Sequence, residues 1–169
     1  MAQPIVLQAP LLVQRRHEIS SVDDEIVVSV QASSSIFNIN VYFHLNDRLI
    51  FSATQNREIK LISQEYIIYS PYEIEIGRLR KKSIYEREEA FSELELSLGE
   101  RQYQVKFSYE NDAFQVINYE GETIASGTRI GEDWRRFLGM RTYWLNPSSE
   151  GVSTELWGVV LKGIQMLMG

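Results

Sequence analysis

The feature that most constrains this chain is strict alternation of apolar and polar residues in several separate runs. Ile39, Val41, Phe43 and Leu45 alternate with Asn40, Tyr42 and His44. Leu94, Leu96 and Leu98 alternate with Glu95 and Ser97, and Tyr103, Val105, Phe107 and Tyr109 with Gln104, Lys106 and Ser108. Successive side chains on a strand point to opposite faces, so each run has one apolar face and one wet face. This is the pattern of antiparallel sheet with one side on a core. Turn chemistry separates the runs: Asn46-Asp47, Ser70-Pro71, Gly99-Glu100 and Glu120-Gly121-Glu122. Glycine takes positive φ at little cost, and Asn and Asp tolerate it, so these are hairpin turns. Ser70-Pro71 divides a strand at 66–69 from one at 72–76. Many short strands at even spacing predict a sandwich or a barrel.

Two stretches break the alternation. Residues 85–90 are charge-rich, with Glu86, Arg87, Glu88 and Glu89, and predict a loop or an exposed helical turn. The other is the C-terminal segment. Ser153 or Thr154 can cap a helix, with Glu155 in its first turn, where the helix dipole favours a carboxylate. From Leu156 to Met168 the only strongly polar residues are Lys162 and Gln165. A helix apolar nearly all round is normally buried all round. It is too short to span a bilayer, which needs about 20 residues.

Composition narrows the function classes. A chain of 169 residues is the size of one domain and can bury a sizeable core. The formal net charge of −6 argues against broad binding to nucleic acid. There is no cysteine, so disulfides, thiolate nucleophiles and Cys-based zinc sites are excluded. No positive charge precedes the first apolar run, and Gln8 and Pro10 interrupt it, so a cytoplasmic protein without a secretory signal is expected.

No segment matches G-x-S-x-G, a P-loop or a dinucleotide fingerprint. His17 and His44 do not stand at metal-ligand spacing, and solvated histidines are expected. Glu86, Glu88, Glu89, Glu93 and Glu95 read as a wet face rather than a general acid–base pair. The sequence therefore implies no enzyme, no catalytic residue, no metal and no cofactor. Two groups are candidates for binding. Arg78, Arg80, Lys81 and Lys82 cluster, and arginines can hold a phosphate by bidentate hydrogen bonds. The bland alternative is a charged strand edge that resists aggregation. Arg135, Arg136 and Arg141 interleave with Trp134, Phe137, Tyr143 and Trp144, a mixture that suits a partner or membrane interface. Trp134 and Tyr143 are expected to be structural, leaving Arg135, Arg136 and Trp144 for binding. Arg129 stands near this group.

The order of these units resembles the tubby C-terminal-like superfamily, which includes LURP-one-related proteins and phospholipid scramblases. The likeness runs through Glu65-Tyr66-Ile67-Ile68-Tyr69 to Gly77-Arg78-Leu79-Arg80-Lys81-Lys82. It continues through Tyr103-Gln104-Val105, Phe114-Gln115-Val116, Glu120 to Ala125, Trp134 and the terminal helix. The resemblance implies a closed antiparallel barrel of about twelve strands around a buried C-terminal helix at 153–168, one domain over 1–169. A barrel filled this way leaves no large internal ligand cavity, so binding is expected on the outside. In some branches the family contacts phospholipids or phosphoinositides. No residue set here matches a tubby-type phosphoinositide site or the scramblase calcium segment. The expected function is a non-enzymatic binding or scaffold domain that meets an anionic phospholipid headgroup or a protein partner. The alternative is a hollow, lipocalin-like carrier of a small apolar ligand, with the helix outside.

Overall fold

In a computed structural model, the described residues are 3–8, 16–56, 64–82, 93–108, 110–131, 141–148 and 151–168. The acidic stretch at 85–90 and the residues Trp134, Arg135, Arg136 and Phe137 lie outside them.

The alternating runs form strands as their period requires. The elements are β1 (Ile5–Gln8), β2 (His17–Ser21), β3 (Ile26–Ser34), β4 (Asn38–Leu45), β5 (Arg48–Asn56) and β6 (Gln64–Tyr69). They continue with β7 (Glu75–Lys81), β8 (Glu93–Leu98), β9 (Arg101–Ser108), β10 (Ala113–Asn118), β11 (Thr123–Ile130) and β12 (Thr142–Pro147). Each strand pairs antiparallel with its chain neighbours, and β1 pairs with β12 to close the barrel. Closure removes the sheet edges that would otherwise template aggregation. The helix α1 (Thr154–Met168) runs through the interior.

One parity of each strand faces inward. Ile39, Val41 and Phe43 on β4, Leu94 and Leu96 on β8, and Val105 and Phe107 on β9 are all buried. They meet Trp157, Val159, Val160, Leu161, Ile164 and Leu167 of α1. Each such large side chain contributes about 1.5–3 kcal/mol when fully buried. Ser153 is the cap: its Oγ accepts the Leu156 amide at 3.2 Å, and its carbonyl accepts the Trp157 amide at 3.0 Å. The helix is fixed to the β6–β7 wall through Gly163. A Cβ there would lie 2.6 Å from Tyr66 Cδ1 and 2.6 Å from Leu79 Cδ1. The missing side chain lets the Tyr66 ring lie against the helix, and its hydroxyl donates to the Val159 carbonyl at 3.1 Å. Burial pushes the Tyr66 pKa well up.

The strand expected at 72–76 is corrected. Residues 70–74 form a wider turn, and β7 begins at Glu75. The Ser70 amide donates to the Ile74 carbonyl at 2.8 Å, and Ser70 Oγ accepts the amides of Tyr72 and Ile74 at 3.3 Å each. Glu73 takes φ 62°. The serine side chain holds the turn open, so Tyr72 and Ile74 stand exposed at its tip.

Antiparallel order places alternate connections at opposite rims. The connections after β2, β4, β6, β8 and β10 are tight turns at one rim, where the chain also enters α1. The helix ends at the opposite rim, beside the last residues of β7 and β11.

Candidate functional site

Register decides the fate of the basic cluster. On β7, Leu79 faces in, so Arg78 and Arg80 share the outer face. Arg80 lies between Glu65 of β6 and Glu95 of β8. Arg78 Nε and Nη2 donate to Glu75 at 3.0 and 3.2 Å, and its Nη1 reaches both Glu65 oxygens at 3.2 Å. Arg80 Nε donates to Glu95 at 3.0 Å, and Lys82 Nζ lies 3.7 Å from the same carboxylate. The Glu75 hydrogen bond, with Glu65 adding to it, raises the Arg78 pKa against a smaller opposing effect of burial. These cations are engaged by neighbouring carboxylates.

Lys81 has the opposite parity. Its Nζ donates to the Leu167 carbonyl at 3.1 Å, at the end of α1. Arg129 is also turned in, only 7% exposed. It donates to Asp112 Oδ1 from Nη2 at 2.8 Å and Nε at 3.2 Å, and to the Met168 carbonyl at 3.5 Å. The last turn of α1 has no basic residue of its own, so strand cations complement the negative end of its dipole. Lys162 is 5% exposed and donates to Gln165 Oε1 at 2.8 Å. Burial lowers its pKa to about 8.

Two concavities among those on the described surface bear on binding. The first, about 410 Å³, opens at the tight-turn rim beside the start of α1. Its apolar lining is Ile76, Leu98, Tyr103, Val152 and Leu156, with Arg101 and Glu100 at its polar side. The turn tips on either side carry Tyr72, 84% exposed, and Tyr119, 81% exposed. The Tyr119 hydroxyl donates to Gln102 at 3.0 Å, next to Arg101. Sequence reasoning missed this cleft. Gly99-Glu100 reads only as a turn, and nothing local places Val152 and Leu156 against it.

The second concavity, about 290 Å³, lies against β10, β11 and β12 and is bordered by Trp144. Trp144 is 39% exposed, whereas Tyr143 is buried. The aromatic pair thus divides between wall and core, as alternation requires. The sequence-predicted residues do not converge: Arg78, Arg80 and Lys82 are on the β6–β8 wall, Lys81 is at the helix end, and Trp144 is on another wall. Among the described residues, no group of His, Asp and Glu is placed to hold a metal ion.

No family model, no curated protein and no solved structure matches this chain. Among the described residues, no helix is long and apolar enough to cross a membrane.

Proposed function

We propose that this chain is a non-enzymatic binding or scaffold domain that meets a protein partner at the tight-turn rim. The observation that carries the reading is the apolar cleft at the mouth of the barrel, flanked by exposed Tyr72, Ile74 and Tyr119. Exposed aromatics around an apolar recess suit an anchoring side chain from a partner. The rim around it carries exposed Glu73, Glu100, Glu120 and Glu122, with Arg101 as a counterweight. That charge favours a bulky apolar residue flanked by basic ones. The lipid-headgroup version is the weaker one, because Glu65, Glu75 and Glu95 already engage the basic cluster. The hollow-carrier version loses its premise, because α1 occupies the barrel interior. The plan of barrel and central helix supports kinship with the tubby C-terminal-like superfamily. Cytoplasmic residence belongs to the same proposal, in keeping with a cysteine-free chain.

The test uses two peptides, each with one leucine flanked by either lysines or glutamates, titrated into isotopically labelled protein. The lysine peptide is expected to shift the amides of Gly99, Arg101 and Val152. No shift with either peptide would remove the cleft as the site. Sedimentation with phosphatidylserine vesicles at low salt is expected to leave the protein in solution, and pelleting would restore the lipid version.

A further inference from the structure

The wall formed by β10, β11, β12 and β1 differs in chemistry from the β6–β8 wall, whose outward residues include Glu65, Arg78, Arg80 and Glu95. Register lays its outward residues out in rows. Ala113, Thr128, Trp144 and Val6 form one row across the four strands. Gln115, Ser126 and Asn146 form the next, with Pro4 beyond. Ile130, Thr142 and Gln8 form a third. None of these residues is charged, although charged residues make up 24% of the chain.

The polar groups here are also uncommitted. Gln115, Ser126, Thr128 and Asn146 are exposed, and their side chains make no hydrogen bond among the described residues. On the β6–β8 wall, by contrast, Arg78, Arg80, Glu65 and Glu95 bond one another. The backbone of the groove is backed from inside. A Cβ on Gly127 would fall 2.1 Å from Phe114 Cζ, so the Phe114 ring occupies that place under the strand.

We propose that this groove binds a neutral, hydroxyl-rich ligand, a glycan, with a sugar ring stacked on Trp144. The aliphatic C–H face of a pyranose matches an indole, and sugar hydroxyls match amides and hydroxyls that both donate and accept. An ionic ligand finds no counter-charge in these rows. A purely apolar one would strip water from four polar side chains and give nothing back. Rows two residues apart are separated by about 6.7 Å, and adjacent strands by about 4.8 Å. That grid matches one or two sugar rings. The proposal is independent of the rim cleft, which lies at the end of the barrel.

The test is titration of labelled protein with maltose, cellobiose, xylobiose and chitobiose, reading the Trp144 indole N–H and the amides of Ser126 and Thr128. At least one disaccharide is expected to bind with Kd on the order of 1 mM, with little dependence on salt. Trp144→Ala is expected to weaken binding roughly tenfold or more. Thr128→Lys, an outward substitution, should also weaken it while leaving the circular dichroism spectrum unchanged. No shift with any of the four sugars overturns the proposal, and so does binding that survives Trp144→Ala. A concentration-dependent dimer abolished by Thr128→Lys would overturn it in favour of a contact between copies of the chain.

Discussion

Strand β7 and the lysine that follows it put cations into two very different surroundings. Arg78, Arg80 and Lys82 stand on the outer wall beside carboxylates, and Lys81 points inward to the last carbonyls of α1. Outside, each pair is partly exposed and screened, and such pairs contribute only about 0–1 kcal/mol. Inside, Arg129 and Lys162 are buried, and a lost partner there is not replaced by water. The difference teaches that a run of basic residues in a β-sequence is not one patch. Alternation sends neighbours to opposite faces, and the inward ones serve the helix.

The largest expected effect tests whether the inner cations matter. Arg129→Met removes the guanidinium from Asp112 and a donor from the Met168 carbonyl. Breaking a buried ion pair from one side costs about 3 kcal/mol. Urea denaturation should show a loss of that order. A loss no larger than that of an outer-wall substitution would erase the distinction between the two surroundings.

Lys162 works in the other direction. Its pKa falls from 10.5 to about 8 in the folded protein, a shift worth roughly 3 kcal/mol against folding. Lys162→Met also removes the Gln165 hydrogen bond, which takes back about 1 kcal/mol. A net gain of about 2 kcal/mol is expected at pH 7. The cost is fully present below pH 8, where both states carry the proton. Between about pH 8 and 10.5 the unfolded state binds more protons than the folded one, so stability rises with pH. Above pH 10 the raised pKa of Tyr66 opposes this, because the unfolded tyrosine ionises first. The difference between wild type and Lys162→Met should therefore shrink steadily from pH 8 upward. A constant difference would mean that Lys162 is not held at a lowered pKa.

How much of this was legible in the sequence follows from what is local. The parity of Leu94, Leu96 and Leu98 and of Val105 and Phe107 is a property of a few adjacent residues, and it predicted their burial. The all-round apolarity of Leu156 to Met168 predicted an interior helix. Strands β1, β2, β3 and β12 were not assigned, because Ser20, Ser21, Ser29, Gln31 and Asn146 blur the pattern. The widened turn at 70–74 depended on Ser70 Oγ, which a Ser-Pro pair does not reveal. The rim cleft joins β7, β8 and β9 to Val152 and Leu156, and only closure of the barrel brings these together. Trp144 was singled out for its neighbours Arg135 and Arg136, which lie outside the described residues. Its observed surroundings are instead Thr128 and Val6, partners set by strand register.

The two glycines of α1 sharpen the inside of the comparison. A Cβ on Gly163 would meet the Tyr66 ring at 2.6 Å, whereas one on Gly158 would meet Val28 Cγ2 at 3.4 Å and Ile19 at 3.6 Å. Overpacking costs about 1–3 kcal/mol, and replacing a helical glycine with alanine gains about 1 kcal/mol. Gly163→Ala is therefore expected to destabilise by about 1 kcal/mol net, and Gly158→Ala to stabilise by a little less than that. Equal effects in thermal unfolding would mean that the helix is not seated against the β6–β7 wall.

The smallest effects come from neighbours on one strand, and they isolate parity. Lys81→Met removes a hydrogen bond to the Leu167 carbonyl and a cation at the negative end of the helix, and should cost about 1 kcal/mol. Arg80→Gln loses a pair with Glu95 at 2.9 Å whose side chains are 33% and 41% exposed, and should cost well under about 1 kcal/mol. Salt separates them further. At about 1 M salt the Debye length is about 3 Å, so the Arg80→Gln effect should fade. The Lys81 bond is made at the end of the core helix, and its loss should persist. If both losses faded together, Lys81 would belong with the outer wall, and its inward reach to α1 would not be contributing to the fold.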